Sequence, residues 1–154
     1  MSYNILDVLD KLIFIQKEIR ETYKEIKTKT KDNKINILSS VLIKEEERHI
    51  EYYKKLKEKF TNELDENIDF DIYDKISFLI NQFKERLYYK SPNNVRELLE
   101  FALECEEQNK ALLIDIQGRL VKNKEDSQTI AYKVLSIIIK EEEKHVKNIK
   151  FFIK

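Results

Sequence analysis

Apolar residues recur at spacings of three and four along four separate stretches of this chain, and that period fits an α-helix. In the first stretch Ile5, Val8, Leu9, Leu12, Ile15, Ile19, Tyr23 and Ile26 keep the spacing. The second runs through Leu38, Leu42, His49, Tyr53, Leu56 and Phe60. The third holds Val95, Leu98, Leu99, Ala102, Cys105, Leu113 and Ile116, and the fourth Ile130, Val134, Ile138, Val146, Ile149 and Phe152. One glycine and one proline in 154 residues leave almost no turn material for a β protein. The class expected is all-α, with helices near residues 3–28, 35–60, 92–118 and 127–153. Ser91-Pro92 is a good start signal for the third helix, and Asp126 or Ser127 for the fourth.

The connections then fix a topology. A short polar turn, TKTKDNK, makes the first two helices antiparallel neighbours. Gly118 and the polar stretch VKNKEDS join the last two in the same way. Thr61 to Pro92 is too long for a turn, and its Ile72, Ile76, Leu79, Ile80, Phe83 and Leu87 mark a shorter amphipathic helix near 71–89. A long central connection lets the second and third helices run parallel. The expectation is one domain, residues 1–154, built as a four-helix bundle with a single crossover, the ferritin-like arrangement. The apolar face of the crossover helix either covers the bundle or meets a second copy, and a homodimer is favoured.

Charge and cysteine usage exclude other classes. The formal net charge is +0, so no global field favours nucleic acid or an acidic membrane surface. The lysine-rich patch from Lys24 to Lys34 reads as a solvated helix end. The longest apolar runs, such as Leu12 to Ile15, are far too short to span a bilayer. One cysteine permits neither an internal disulfide framework nor a CxxC metal knuckle. The N-terminal MSYNILDVLDK lacks a signal pattern, and the expected location is the cytoplasm.

The only two histidines lie in near-identical heptapeptides, KEEERHI from Lys44 and KEEEKHV from Lys140. Glu46 precedes His49 by three residues and Glu142 precedes His145 by three, so each pair shares a helix face. Both faces are the apolar stripes of their helices, whereas Glu47 and Glu143 project away. Glu106 lies four residues after Ala102 and faces the same interior. Accidental histidines in charged runs would leave three carboxylates buried without partners, at several kcal/mol each. A pair of divalent cations is the simplest neutralising partner.

At these residues the chain resembles the rubrerythrin-like branch of the ferritin-like superfamily. Its pattern is a Glu on helix one, Glu-x-x-His on helix two, a Glu on helix three and a second Glu-x-x-His on helix four. Glu46 with His49, Glu106, and Glu142 with His145 match it, and ALECE before and including Glu106 is similar to the family's approach to that Glu. The resemblance covers nearly the whole chain. It implies two metal ions, iron before manganese or zinc, with Glu46 and Glu142 as bridges and His49 and His145 as end ligands. On helix one the matching position is Gln16, an amide that ligates less strongly than a carboxylate; Glu18 and Glu21 lie on the other side. Three carboxylates against two divalent ions leave a formal charge of about +1 before water or hydroxide binds.

The additional helix-three Glu of true rubrerythrins is Asn109 here, and no four-cysteine rubredoxin-like domain is present. The resemblance therefore implies a peroxide- or dioxygen-reducing oxidoreductase fed by an external donor, rubredoxin-like or a flavoprotein. Two alternatives remain: a ferroxidase or iron-handling protein, with the acidic Glu63–Asp74 segment as an approach path, and a helical structural module whose metal site is degenerate. Cys105 reads as a buried small hydrophobe before a redox thiol. Tyr23, Tyr52 and Tyr53 read as packing residues.

Overall fold

The structure, a computed structural model, describes residues 3–63, 66–87 and 91–153, without the side chain of Glu63. Among these residues it is all-helical, with α1 (Ile5–Lys29), α2 (Asn33–Phe60), α3 (Phe70–Arg86), α4 (Val95–Arg119) and α5 (Ile130–Ile153). Short 3-10 turns follow α2 and precede α5. The last two positions of the expected crossover helix, 88 and 89, lie outside the described residues, as do Leu64 and Asp65 of the acidic segment.

Local chemistry explains most helix ends. Asn4 and Asp7 form a capping box at the start of α1, the Asn4 side chain accepting from Leu6 N–H at 2.8 Å. Asp32 caps α2 by accepting from the N–H groups of Lys34 and Ile35. Two expected start signals are corrected. Helix α4 begins at Val95, not at Pro92, because Asn94 accepts from Glu97 N–H at 2.9 Å and so supplies the cap. Asp126 does not cap α5, since its carboxylate already accepts from the N–H groups of Lys122 and Asn123. The Thr129 hydroxyl accepts from Tyr132 N–H instead, and Glu66 reaches from the crossover to accept from Ile130 and Ala131 N–H at 2.8 and 3.2 Å. Gly118, expected in a loop, is within α4.

The core is the four apolar stripes pressed together. Leu9, Leu12, Ile15, Ile19, Leu98, Leu113, Ile116 and Leu135 are all fully buried. Each contributes about 1.5–3 kcal/mol relative to exposure. Lys57 pairs with Asp10 at 2.6 Å, which sets the end of α2 beside the start of α1. Ile68 N–H donates to the Tyr3 carbonyl at 2.7 Å, and Lys122 pairs with Asp69. The start of α1, the end of α2, the end of α4 and the start of α5 thus gather at one end. Helices α2 and α4 therefore run in the same direction.

Helix α3 buries Ile76, Ile80 and Phe83 and packs across α1 and α4. The crossover helix thus lies against the bundle, while Phe70 and Phe78 on it are exposed. Phe152, expected on the buried stripe of α5, is 69% exposed. It lies in the last turn of α5, where Phe151 is 75% exposed as well. Among the described residues no helix is long and apolar enough to cross a membrane.

Candidate metal centre

Four helices each deliver a polar side chain to the interior at similar height. Helix α2 brings Glu46 and His49, α5 brings Glu142 and His145, α4 brings Glu106 and α1 brings Gln16. Their burial is unusual for polar groups: Gln16 is 0% exposed, Glu46 1%, Glu142 2%, Glu106 4% and His49 6%. The His145 side chain is the exception at 22%. Glu47 and Glu143 face solvent, as their helix positions dictate.

Within this group, one ligand atom from each of His49, Glu106, Glu142 and His145 lies within 4.8 Å of the others. The two imidazoles stack with centroids 3.9 Å apart and their Nε2 atoms 3.1 Å apart. Each Nδ1 turns back toward the carboxylate of its own helix. His49 Nδ1 is 3.5 Å from Glu46 Oε2, and His145 Nδ1 is 3.8 Å from Glu142 Oε2. Those gaps are too long for hydrogen bonds; two ligands bound at about 2.1 Å to one ion sit at roughly 3.0–3.5 Å from each other. Glu46 thus joins the cluster through His49. Gln16 is buried on the inward face of α1, outside the four-residue group.

Electrostatics at the cluster are those of charge forced out of water. Burial, then the neighbouring Glu142 and Glu45 carboxylates, holds the Glu46 carboxyl well above the ordinary value of 4.5. Burial pushes His49 below 6.5, against the opposing pull of nearby carboxylates. Tyr23 and Tyr53 are pushed up by burial and then by the negative groups around them. The Cys105 thiol is pushed up to about 12, by burial and then by Glu46.

The donor set fits a metal on one observation. Glu46 Oε2, His49 Nδ1, Glu106 Oε2, Glu142 Oε1 and His145 Nδ1 are all buried without a hydrogen-bond partner. Buried polar atoms are nearly always partnered, so these five, among twelve unpartnered side-chain atoms of the described residues and four of them on the side chains that converge, call for a ligand. All five are the oxygen and imidazole types that take divalent first-row cations.

The histidine spacing and the inward faces were legible in the sequence, down to Glu106. Two features were not. Asn109, one turn beyond Glu106, is 1% exposed with both amide atoms unpartnered, and Ser39 Oγ is likewise buried and unpartnered. Asn109 stands in the sequence where the rubrerythrin-like pattern has an additional Glu, whereas for Ser39 the inward stripe of α2 was the only available signal. The second feature is a surface recess of about 430 Å³ between α2 and α5, lined by His49, Glu142, His145, Tyr52 and Arg48 among others. It depends on how two distant helices splay, which local periodicity does not encode. No protein-family model, curated protein or solved structure matches this chain.

Proposed function

We propose that the bundle is a ferritin-like, rubrerythrin-type domain holding a dinuclear metal centre, with iron as the working metal, and that it reduces peroxide or dioxygen. The observation that carries this reading is the set of five unpartnered donor atoms on Glu46, His49, Glu106, Glu142 and His145. The parallel α2 and α4, and the Glu-x-x-His pairs on α2 and α5, agree with that architecture. Glu46, Glu142, His49 and His145 would hold the ions, the two Glu in the bridging role that the resemblance implies and the two His as end ligands, with Glu106 as the carboxylate from α4. Gln16 is assigned the weak position, through its amide oxygen.

Two irons, if bound by these residues, would supply the two-electron reduction of an O–O bond. The chain's own residues do the rest. Ile15, Ile19, Ala102 and Val134, all buried, exclude water from the interior around the carboxylates. The recess at His145 admits a molecule the size of hydrogen peroxide. Tyr23, Tyr53 and Cys105 keep their protons at neutral pH, so none adds a further negative charge beside the carboxylates. With a single cysteine and no second cluster motif, electrons arrive from an external donor.

The test is anaerobic loading with ferrous iron, then mixing with hydrogen peroxide or dioxygen. Rapid oxidation, with turnover when a reductant is supplied, is expected. Iron-loaded protein inert to both oxidants would sink the proposal and leave the degenerate-site alternative, for which Gln16 is the structural argument.

A further inference from the structure

The recess between α2 and α5 has an outer ring that the redox chemistry does not use. Its floor is formed by His49, His145 and Glu142, and its rim carries Glu45 and Glu141. Each rim carboxylate is held by a cation three residues along its own helix, Glu45 by Arg48 and Glu141 by Lys144. The Glu45 and Glu141 side chains are 38% and 35% exposed. Exposed pairs of this kind are held by little energy, so their partners exchange readily.

The field at the floor is set by carboxylates on both helices. Glu45 of α2 and Glu141 and Glu142 of α5 all line the recess, with Arg48 and Lys144 beside them. Elsewhere the cluster is closed, because Gln16, Glu46, Glu106 and Asn109 are at most 4% exposed. Two residues that line the recess, His49 and Glu142, each carry a buried atom with no hydrogen-bond partner, Nδ1 and Oε1. A path thus leads from two loosely held surface carboxylates to buried, unpartnered donors.

We propose that this recess is the loading port for divalent cations, with Glu45 and Glu141 as a transient outer pair that passes the ion to Glu142 and the imidazoles. The proposal rests on the cluster being a metal centre. The transfer is ligand exchange only: the ion displaces Arg48 and Lys144 from the rim carboxylates, sheds water, and moves inward without any change of oxidation state.

The test is stopped-flow mixing of metal-free chain with Co²⁺, followed by the visible absorbance of coordinated cobalt. Glu45→Gln with Glu141→Gln should slow loading by about tenfold and flatten its salt dependence, with the final amplitude unchanged. Arg48→Gln with Lys144→Gln should accelerate it. Equal rates in wild type and both double variants would overturn the port while leaving the centre in place. Loss of final amplitude in the glutamate variant would also overturn it, since the two would then be ligands. Absence of any cobalt signal in the wild type would remove the centre and the port together.

Discussion

Glu46 and His49 sit one turn apart, and burial drives them in opposite directions: the carboxyl up, the imidazole down. The consequence for the metal-free chain follows from linkage. A raised carboxyl stabilises the fold most when protonated, so that contribution is lost as pH rises above the unfolded value near 4.5. A lowered imidazole stabilises the fold when neutral, so its contribution is lost as pH falls below 6.5. The two slopes oppose each other where they overlap, and each is at most about 1.4 kcal/mol per pH unit. Glu46→Gln should therefore make the denaturant midpoint of chelated protein fall less, or rise more, than wild type as pH increases above 4.5. The same pH dependence in both chains would contradict the burial of an ionisable Glu46. Gln16 carries the second residue-scale prediction. Gln16→Glu adds the fourth carboxylate and should raise retention of the weaker ion during dialysis by about tenfold or more. Unchanged retention would place Gln16 outside the coordination sphere.

Helix ends separate what was legible in the sequence from what was not. The five helices were readable because the stripe of α1 from Ile5 to Ile26 and the stripe of α5 from Val134 to Val146 repeat at a helical period over many turns. Caps formed by side chains close in sequence, such as Asn4 and Asp32, follow from local rules. The start of α5 follows only in part: Thr129 supplies a local acceptor, but the N–H groups of Ile130 and Ala131 are held by Glu66, 64 residues away from Ile130. A carboxylate accepting two N–H groups at a helix N-terminus also meets the favourable end of the macrodipole. Glu66→Ala should lower stability by about 1–2 kcal/mol without changing metal content, as measured by denaturant unfolding alongside metal analysis. An unchanged midpoint would mean that the crossover does not anchor α5. The site divides the same way. Glu-x-x-His is a local spacing and was readable, as was the inward face of Gln16. The recess itself and the 22% exposure of His145 depend on how α5 lies against α2.

At the scale of the whole molecule, a core whose unpartnered atoms include five on Glu46, His49, Glu106, Glu142 and His145 is in conflict with itself unless something binds them. Removing a partner from a buried charge costs several kcal/mol, which is a large fraction of the stability of a domain of this size. A bound cation offsets that cost and competes with protons for the same oxygens. The stability difference between loaded and chelated protein should therefore widen as pH rises from 5 to 8. The most direct test of the central claim is elemental analysis of protein isolated without chelator. The account predicts between about one and two metal ions per chain, chiefly iron, with Glu142→Ala close to none. Wild-type chain that emerges metal-free, and takes up no iron, manganese or zinc when each is offered, would contradict it.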